Sequence, residues 1–558
     1  MNLRTELLET LTGVYDSIGG MQDATGRFRH PDAGYSIYGQ YAGYYFALLY
    51  TFEREGNPYY LDENTLARAV KGWDYYATQI TEAGLANIIT FNDQYWGDVL
   101  DEWGLYYWIN TVELLKPFLP AAKTAEWSER IDVAAAAAGD VIERTSSSAA
   151  YLESLRENSV QNHFVWTVLC YYRYGMVRGD RAIMDRAETE MERILSFRHE
   201  AGLWLEERTP VVKYAEVTAC AVSLFEMYSS NAKASEAVEH NLQYVLATLY
   251  PDFTKNECMD GRNRYARGIT HYTAPTFYKS DAGKAYLTRW VRYIREQGDV
   301  DKDLKGVTVL ADMARMMPEE AERSEEDVWR YVPESTRYEG LKAVIERKRD
   351  WVVTMCGLEQ KTLNNRWFLE RQNLVSVFDR ASGLLVGGGH SIAQPELSTF
   401  AVVSAGTLYY LPQEGALEPE GLGIRAVYGG RICTVRATAM TEQETKLVYR
   451  VEGLLETERA YVQIPFFVGG GGGSINVQGA DVPLDSEPQC RFVPSNAAFV
   501  FKNVEYRLTS DAEFRYPILP YNSYKQAQRR QFGEAFGALK VELDDRSNEV
   551  ELTLRRRA

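Results

Sequence analysis

The chain of 558 residues predicts a multidomain α+β protein. An N-terminal (α/α) toroid is expected over residues 1–335, a linker over 336–349 and a C-terminal antiparallel β-sandwich over 350–558. Three observations predict this division. Apolar residues recur at helical spacing up to about residue 335, in segments of about 15 to 20 residues separated by polar or Gly/Pro breaks. Beyond about residue 350 the period falls to two, with Gly, Asp and Asn at the turns. Between them, from Pro318, the charged stretch PEEAERSEEDVWRYVPESTRYEGLKAVIERKRD suits a linker helix.

The helical segments include YGQYAGYYFALLYTFERE, LARAVKGWDYYATQIT, EWGLYYWINTVELLKPF, SVQNHFVWTVLCYYRYG, DRAIMDRAETEMERILSFR and SEAVEHNLQYVLATLY. Taken as consecutive hairpins they suggest inner helices that are aromatic on nearly every side and outer helices that are amphipathic. The strand segments are RWFLERQ, LVSVFDR, STFAVVSA, TLYYLP, ICTVRATAM, TKLVYRVEG, YVQIPFFV, FVFKNVEYRLT and LKVELDD. VGGGGGS at 468–474 reads as a turn, because a phosphate cradle needs a following helix and a Lys.

Charge and composition exclude several classes. With 61 Lys and Arg against 78 Asp and Glu, the net charge of -17 opposes a general nucleic-acid surface. The six cysteines are scattered without a CxxC pair, which excludes a disulfide or zinc framework. No stretch approaches the roughly 20 apolar residues of a membrane span, and the N-terminus lacks the apolar core of an export signal. A cytoplasmic protein is expected, with no membrane or nucleic-acid partner and no cofactor.

Four segments carry candidate chemistry. In SVQNHFVWTVLCYYRYG, Asn162 and His163 open an aromatic helix, either as a satisfied cap with a core His or as groups held for a ligand. GLWLEERTPVVKYAEVTACAVSL places Tyr214 behind Gly202, Glu206 and Glu207. MDGRNRYARGITHYTAPTFY gathers Arg262, Asn263, Arg264 and Arg267 ahead of His271 and Tyr272, in a polar island of the helical half. Arginine forks bind carboxylates in bidentate fashion, so this loop suits an acidic ligand; salt bridges to nearby Asp and Glu are the alternative. SGLLVGGGHSIAQPELSTFAVVSAGTLYYLP carries His390 on a Gly-rich turn.

Together these segments resemble the heparinase II/III-like and alginate-lyase-like polysaccharide lyases. The resemblance implies that Asn162 and His163 contact a uronate carboxylate, that Tyr214 acts as base and acid, and that His390 reaches the site. Arg262, Asn263, Arg264, Arg267, His271, Tyr272 and Trp96 are expected to bind substrate. It implies β-elimination on a uronic-acid-containing oligo- or polysaccharide, giving an unsaturated uronate. The family's tighter Glu-Gly and paired-tyrosine pattern around the Tyr is not reproduced. Metal-bearing relatives place a second His two residues past the first; Ile392 stands there and no later His exists, so no metal is expected.

Two other functions fit the same chain. A glycoside hydrolase would use paired carboxylates, for which FNDQYWGDVLDEWGLYYW offers Asp93, Asp98, Asp101 and Glu102. A non-catalytic glycan-binding protein would use the aromatic residues as stacking platforms.

Overall fold

Helices fill the first part of the chain and antiparallel strands the last, in a computed structural model that describes residues 2–90, 94–298, 300–319, 321–359, 367, 369–469, 473–522 and 532–557. The chain divides into two compact units. The helical unit comprises Met1–Arg208, Lys213–Tyr244 and Thr270–Tyr331; the β unit comprises Thr209–Val212, Val245–Ile269 and Val332–Ala558.

The helices are α1 (Leu3–Gly13), α2 (Tyr15–Gly20), α3 (Ala42–Thr51), α4 (Glu63–Ala77), α5 (Glu102–Leu115), α6 (Ala121–Ser146), α7 (Ala149–Arg156), α8 (Asn162–Arg178), α9 (Arg181–Ser196), α10 (Val212–Ser229), α11 (Ala232–Ala247), α12 (Asp281–Gln297) and α13 (Leu304–Met316). Burial sorts them into inner and outer members. Every residue of α3 from Ala42 to Tyr50 is buried, and α5 buries all but two of its residues. By contrast α9 buries only a stripe of Ala187, Glu190, Met191, Ile194 and Leu195, the mark of an amphipathic helix with one face on a core. Capping follows local chemistry: Asp62 accepts from the Thr65 N–H at the start of α4, and Gly179 ends α8 in the left-handed region.

The inner helices form a closed circuit. α3 packs on α5 and α5 on α8, α8 bonds α10 through Trp166 and Val217, α10 bonds α13 through Tyr228 and Arg315, and α13 returns to α3. A buried carboxylate ties them across the middle: Asp312 of α13 accepts from Tyr44 of α3 at 2.7 Å and Tyr106 of α5 at 3.0 Å. Arg315 reaches both Asp312 and the Tyr228 hydroxyl of α10, at 3.3 and 2.8 Å. A charge buried this deeply is tolerated because each of its oxygens has donors. The unit is a helical toroid, as its periodicity predicts. Sequence reasoning missed a hairpin within it, Ala86–Thr90 paired with Gln94–Val99.

The β unit holds three antiparallel sheets among its described residues. The six-stranded sheet is centred on Arg459–Phe467 and Phe536–Leu543, and the nine-stranded sheet on Arg431–Met440, Glu444–Glu452 and Glu549–Arg556. They face each other across an apolar core: Phe466 of the first lies 4.8 Å from Phe501 and 5.8 Å from Tyr506 of the second. Alternation is strict in Glu444–Glu452, where Thr445, Leu447, Tyr449 and Val451 turn inward. The five-stranded sheet runs through Ser335–Tyr338, Ala343–Lys348, Trp351–Cys356, Val375–Asp379 and Gly383–Val386.

Three expectations are corrected. The linker helix does not form: a single turn of 3-10 helix, Val328–Arg330, precedes strands Ser335–Tyr338 and Ala343–Lys348. The many Glu, Lys and Arg residues there suggest a helix, but pairing of Ala343–Lys348 with Trp351–Cys356 overrides that propensity. The arginine island belongs to the β unit and not to the helical half. RWFLERQ is not a regular strand: of its described part, Glu370 makes one isolated bridge, to Ser391. Its remainder, Asp93 and part of VGGGGGS lie outside the described residues.

Candidate functional site

The first turns of four inner helices supply the candidate site of the helical unit. At the start of α5, Asp101 is the N-cap, its Oδ1 accepting from Gly104 N–H at 3.1 Å and from Tyr41, and its Oδ2 from Tyr76 at 2.9 Å. Burial outweighs these donors and pushes Asp101 up to about 6. The next residue, Glu102, is buried and holds His163 of α8, Oε1 to Nδ1, at 2.6 Å. Trp103 sets its ring against the same imidazole, with centroids 4.7 Å apart.

The Asn-His pair divides its work. Gln161 provides no side-chain cap for α8. Glu206 does so instead, accepting from the Asn162 N–H at 3.3 Å and from its Nδ2 at 3.1 Å. Asn162 is therefore buried as part of a cap, although its Oδ1 has no partner. His163 differs, with 54% of its side chain open to solvent. Partial burial disfavours its charged form, but the Glu102 carboxylate prevails, with Glu206 adding to it, and raises the imidazole above its ordinary range.

Tyr214 lies in the first turn of α10, half-buried. One turn on, the Val217 carbonyl accepts from Trp166 Nε1 at 3.1 Å, one turn into α8. That bond brings the starts of α8 and α10 to the same end of the bundle. The preceding loop depends on Gly202, whose positive φ is matched by its packing: a Cβ there would lie 2.4 Å from the His240 carbonyl.

The fourth first turn, that of α13, carries two groups that sequence reasoning missed or placed only in part. Asp303 meets His271 Nδ1 at 3.4 Å, and the imidazole overcomes burial to hold the Asp303 carboxyl at about 2. Gly306 permits this closeness, since a Cβ would stand 2.1 Å from His271 Nδ1. Lys305 extends its ammonium over Trp103 at 3.9 Å and Tyr38 at 4.5 Å from the ring centroids. Tyr272 is buried against Trp166 at 5.8 Å, and burial pushes its phenol well above the ordinary range, against any role as a base. Neither Lys305 nor Tyr38 stands out in the sequence. The one available signal is the isolated Gly306 within a helix, which marks a close approach.

Trp96 sits on the hairpin strand Gln94–Val99, 42% exposed beside Tyr95 at 61%. The hydrolase candidates are engaged elsewhere: Asp98 accepts from Tyr95 at 2.9 Å, Asp101 caps α5, and Glu102 holds His163.

The remaining expected site residues belong to the β unit. There Asp260 organises the arginine loop, accepting from the Val212, Arg262 and Asn263 N–H groups at 2.9, 2.9 and 2.7 Å. Arg264 is ion-paired with Glu534 at 2.6 Å, so the salt-bridge alternative holds for this residue. Arg262 lies over Trp367 and the exposed Arg267 over Phe467, each at 5.6 Å. His390 is a correction: it is fully buried, its Nδ1 accepting from the Gln372 N–H at 3.0 Å. Burial, aided by the Arg371 charge, holds it well below the ordinary imidazole range, so it is a neutral core histidine. With Nδ1 so engaged and Ile392 two residues on, these residues do not fit the zinc of metal-bearing relatives.

No family model matches the chain, and no curated protein matches it in sequence. Solved structures do share its fold. The Streptomyces coelicolor A3 chondroitin AC lyase in complex with chondroitin sulphate superposes with a TM-score of 0.55 at 11% identity, over 100% of this chain and 79% of that one. Paenibacillus xanthan lyase gives 0.54 at 11%, over 100% of this chain, which spans only 57% of that enzyme's length. A heparinase III gives 0.50 at 11%, over 98% and 91%. At such identities the likeness is one of fold alone, a helical domain followed by an antiparallel β-rich one.

Proposed function

We propose that the chain is a polysaccharide lyase that cleaves a uronic-acid-containing glycan by β-elimination. The observation that supports this is that the starts of α5, α8 and α13 come together, Glu102 holding His163 and Lys305 lying over Trp103, while the start of α10, which carries Tyr214, is bonded to α8 through Trp166 and Val217. Helix N-termini carry partial positive charge, which suits a carboxylate there.

The C5 proton of a uronate is weakly acidic, because its removal adds charge beside an existing carboxylate. His163 and Asn162 would neutralise that carboxylate as the enolate-like intermediate forms. Tyr214 would take the C5 proton as its phenolate. The electron pair then forms the C4–C5 double bond as the C4–O4 bond breaks, and the Tyr214 hydroxyl returns the proton to the departing oxygen. Within the helical unit, Trp96 would offer a ring platform; Arg262, Asn263, Arg264 and Arg267 are cations and a donor of the β unit that suit acidic groups, Arg264 only after exchanging Glu534. The fold relatives, one of them described in complex with chondroitin sulphate, support an acidic polysaccharide substrate. A hydrolase finds less support, since Asp98, Asp101 and Glu102 each already serve another group.

The test is a panel of acidic polysaccharides and oligosaccharides, scored by absorbance near 235 nm and by mass spectrometry. Unsaturated products support the proposal; products heavier by one water per cleaved bond would replace it with hydrolysis.

A further inference from the structure

Lys305 is a partly buried lysine whose ammonium lies among three aromatic rings. Lys123, by contrast, is paired with Asp74 at 3.1 Å and Glu126 at 2.8 Å. The Lys305 ammonium has no hydrogen bond or ion pair among the described residues. Aromatic faces surround it instead: Trp103 at 3.9 Å, Tyr38 at 4.5 Å and Tyr272 at 5.5 Å from the ring centroids. Such faces attract the charge but leave its three N–H donors unused.

None of the nearby acids makes a hydrogen bond or ion pair with the ammonium. Glu102 grips His163, Asp101 is held between Tyr41, Tyr76 and the Gly104 N–H, and Asp303 meets His271 through Oδ2; its Oδ1, buried without a partner, makes no hydrogen bond to the ammonium. Two of the aromatic residues beside the ammonium also have buried polar atoms without partners, the Tyr272 hydroxyl and Trp103 Nε1. An ammonium with free donors, flat apolar faces beside it and two unpaired polar atoms is the complement of an acidic sugar. The ring can lie on the aromatic faces, the anion on the ammonium, and the hydroxyls on the polar atoms.

We infer that Lys305, with Tyr38 and Trp103, forms an acidic-sugar subsite in which the ammonium binds the sugar's carboxylate or sulfate. The choice of a sugar rests on the lyase proposal; the anion-binding role of Lys305 does not. Electrostatics agree with it. Burial brings Lys305 down to about 8 although Asp303, Glu102 and Asp101 oppose the fall, and Lys213 adds to it. A bound anion would restore the charged form.

The experiment titrates the full chain with D-glucuronic acid, with its uncharged methyl ester and with glucose 6-sulfate, followed by ligand-observed NMR. Wild type, Lys305→Met and Lys305→Arg are compared after their melting temperatures are matched. Lys305→Met should bind the charged sugars about 10- to 100-fold more weakly, the range of one lost charge-assisted hydrogen bond. Lys305→Arg should stay within a few-fold of wild type, and the methyl ester should bind wild type and Lys305→Met alike. Tighter binding of glucuronate names the carboxylate as the anion, and tighter binding of glucose 6-sulfate names the sulfate. Equal affinity of Lys305→Met and wild type for both charged probes overturns the inference, as does failure of wild type to bind either. Failure of the lyase proposal would look different: no unsaturated product from any polysaccharide, with Lys305-dependent binding intact.

Discussion

Changing Glu102 to Gln removes one charge from the His163 pair and keeps the shape of the side chain. The Oε1 to Nδ1 distance is 2.6 Å, so the amide can still accept a hydrogen bond from the ring. What is lost is the attraction between carboxylate and imidazolium. Two unit charges at about 4 Å attract by about 1 kcal/mol in water and about 4 kcal/mol at an effective dielectric of about 20. With 54% of the His163 side chain in solvent, screening favours the lower figure, about 1 kcal/mol. Converted to rate, about 1.4 kcal/mol is a factor of ten, so turnover near pH 7.5 should fall roughly 5- to 10-fold if the charged ring stabilises the intermediate. Acidification should restore much of it by re-protonating His163. The stability effect has a defined sign as well. Because the pair raises His163 in the folded chain, its contribution is full below the ordinary imidazole value of about 6.5 and fades as pH rises through the folded value. The melting-temperature gap between wild type and Glu102→Gln should therefore be widest in mild acid and narrow in alkali. Rates of 235 nm absorbance across pH, with a proton NMR titration of the imidazoles, measure both. An unchanged rate profile beside a lowered melting temperature would make Glu102 a packing residue and refute the charge-based account of His163.

Tyr214→Phe deletes one hydroxyl from a half-buried ring, so the fold should persist while turnover falls by roughly 10²- to 10⁴-fold; undiminished turnover would remove Tyr214 from the reaction. Asn162→Ala should cost about 1 to 3 kcal/mol of stability, because it strips a donor from buried Glu206; denaturant unfolding that matches wild type would show the cap to be dispensable. Gly306→Ala introduces a Cβ that would stand 2.1 Å from His271 Nδ1, so the ring must move off Asp303 at an overpacking cost of about 1 to 3 kcal/mol. A His271 resonance that titrates as in wild type would show that the ring had not moved.

The parts of the fold that were legible in the sequence are those whose burial repeats. α3, α5 and α8 announce themselves because almost every residue is apolar or aromatic, and Glu444–Glu452 because its inward residues alternate without a break. Ala343–Lys348 was hidden because its Glu, Arg and Lys are good helix formers, and pairing with the adjacent strands Ser335–Tyr338 and Trp351–Cys356 decides its state. At the site, His163 was visible as a polar residue inside an aromatic segment, but its anchor Glu102 lies 61 residues away in sequence. His390 misled for the opposite reason: a Gly-rich turn suggests exposure, whereas the turn carries its ring into the interior. The arginine island failed in placement, since its loop joins the β unit through Asp260 and Glu534, contacts that no local pattern encodes.

The chain passes from one unit to the other at residues 208/209, 212/213, 244/245, 269/270 and 331/332. A clean cut is therefore impossible. A fragment ending at Tyr331 would keep Val245–Ile269 but strip away what that segment rests on, leaving Tyr250 without Phe378, Tyr265 without Phe467 and Asn256 without Thr354. The complementary fragment from Val332 would lack the same piece from its own interior. Limited proteolysis should accordingly yield nicked protein that stays together in solution, and co-expression of the two fragments should rescue what neither achieves singly. The division seen in space is thus not a seam along which this protein can be dismantled or shuffled.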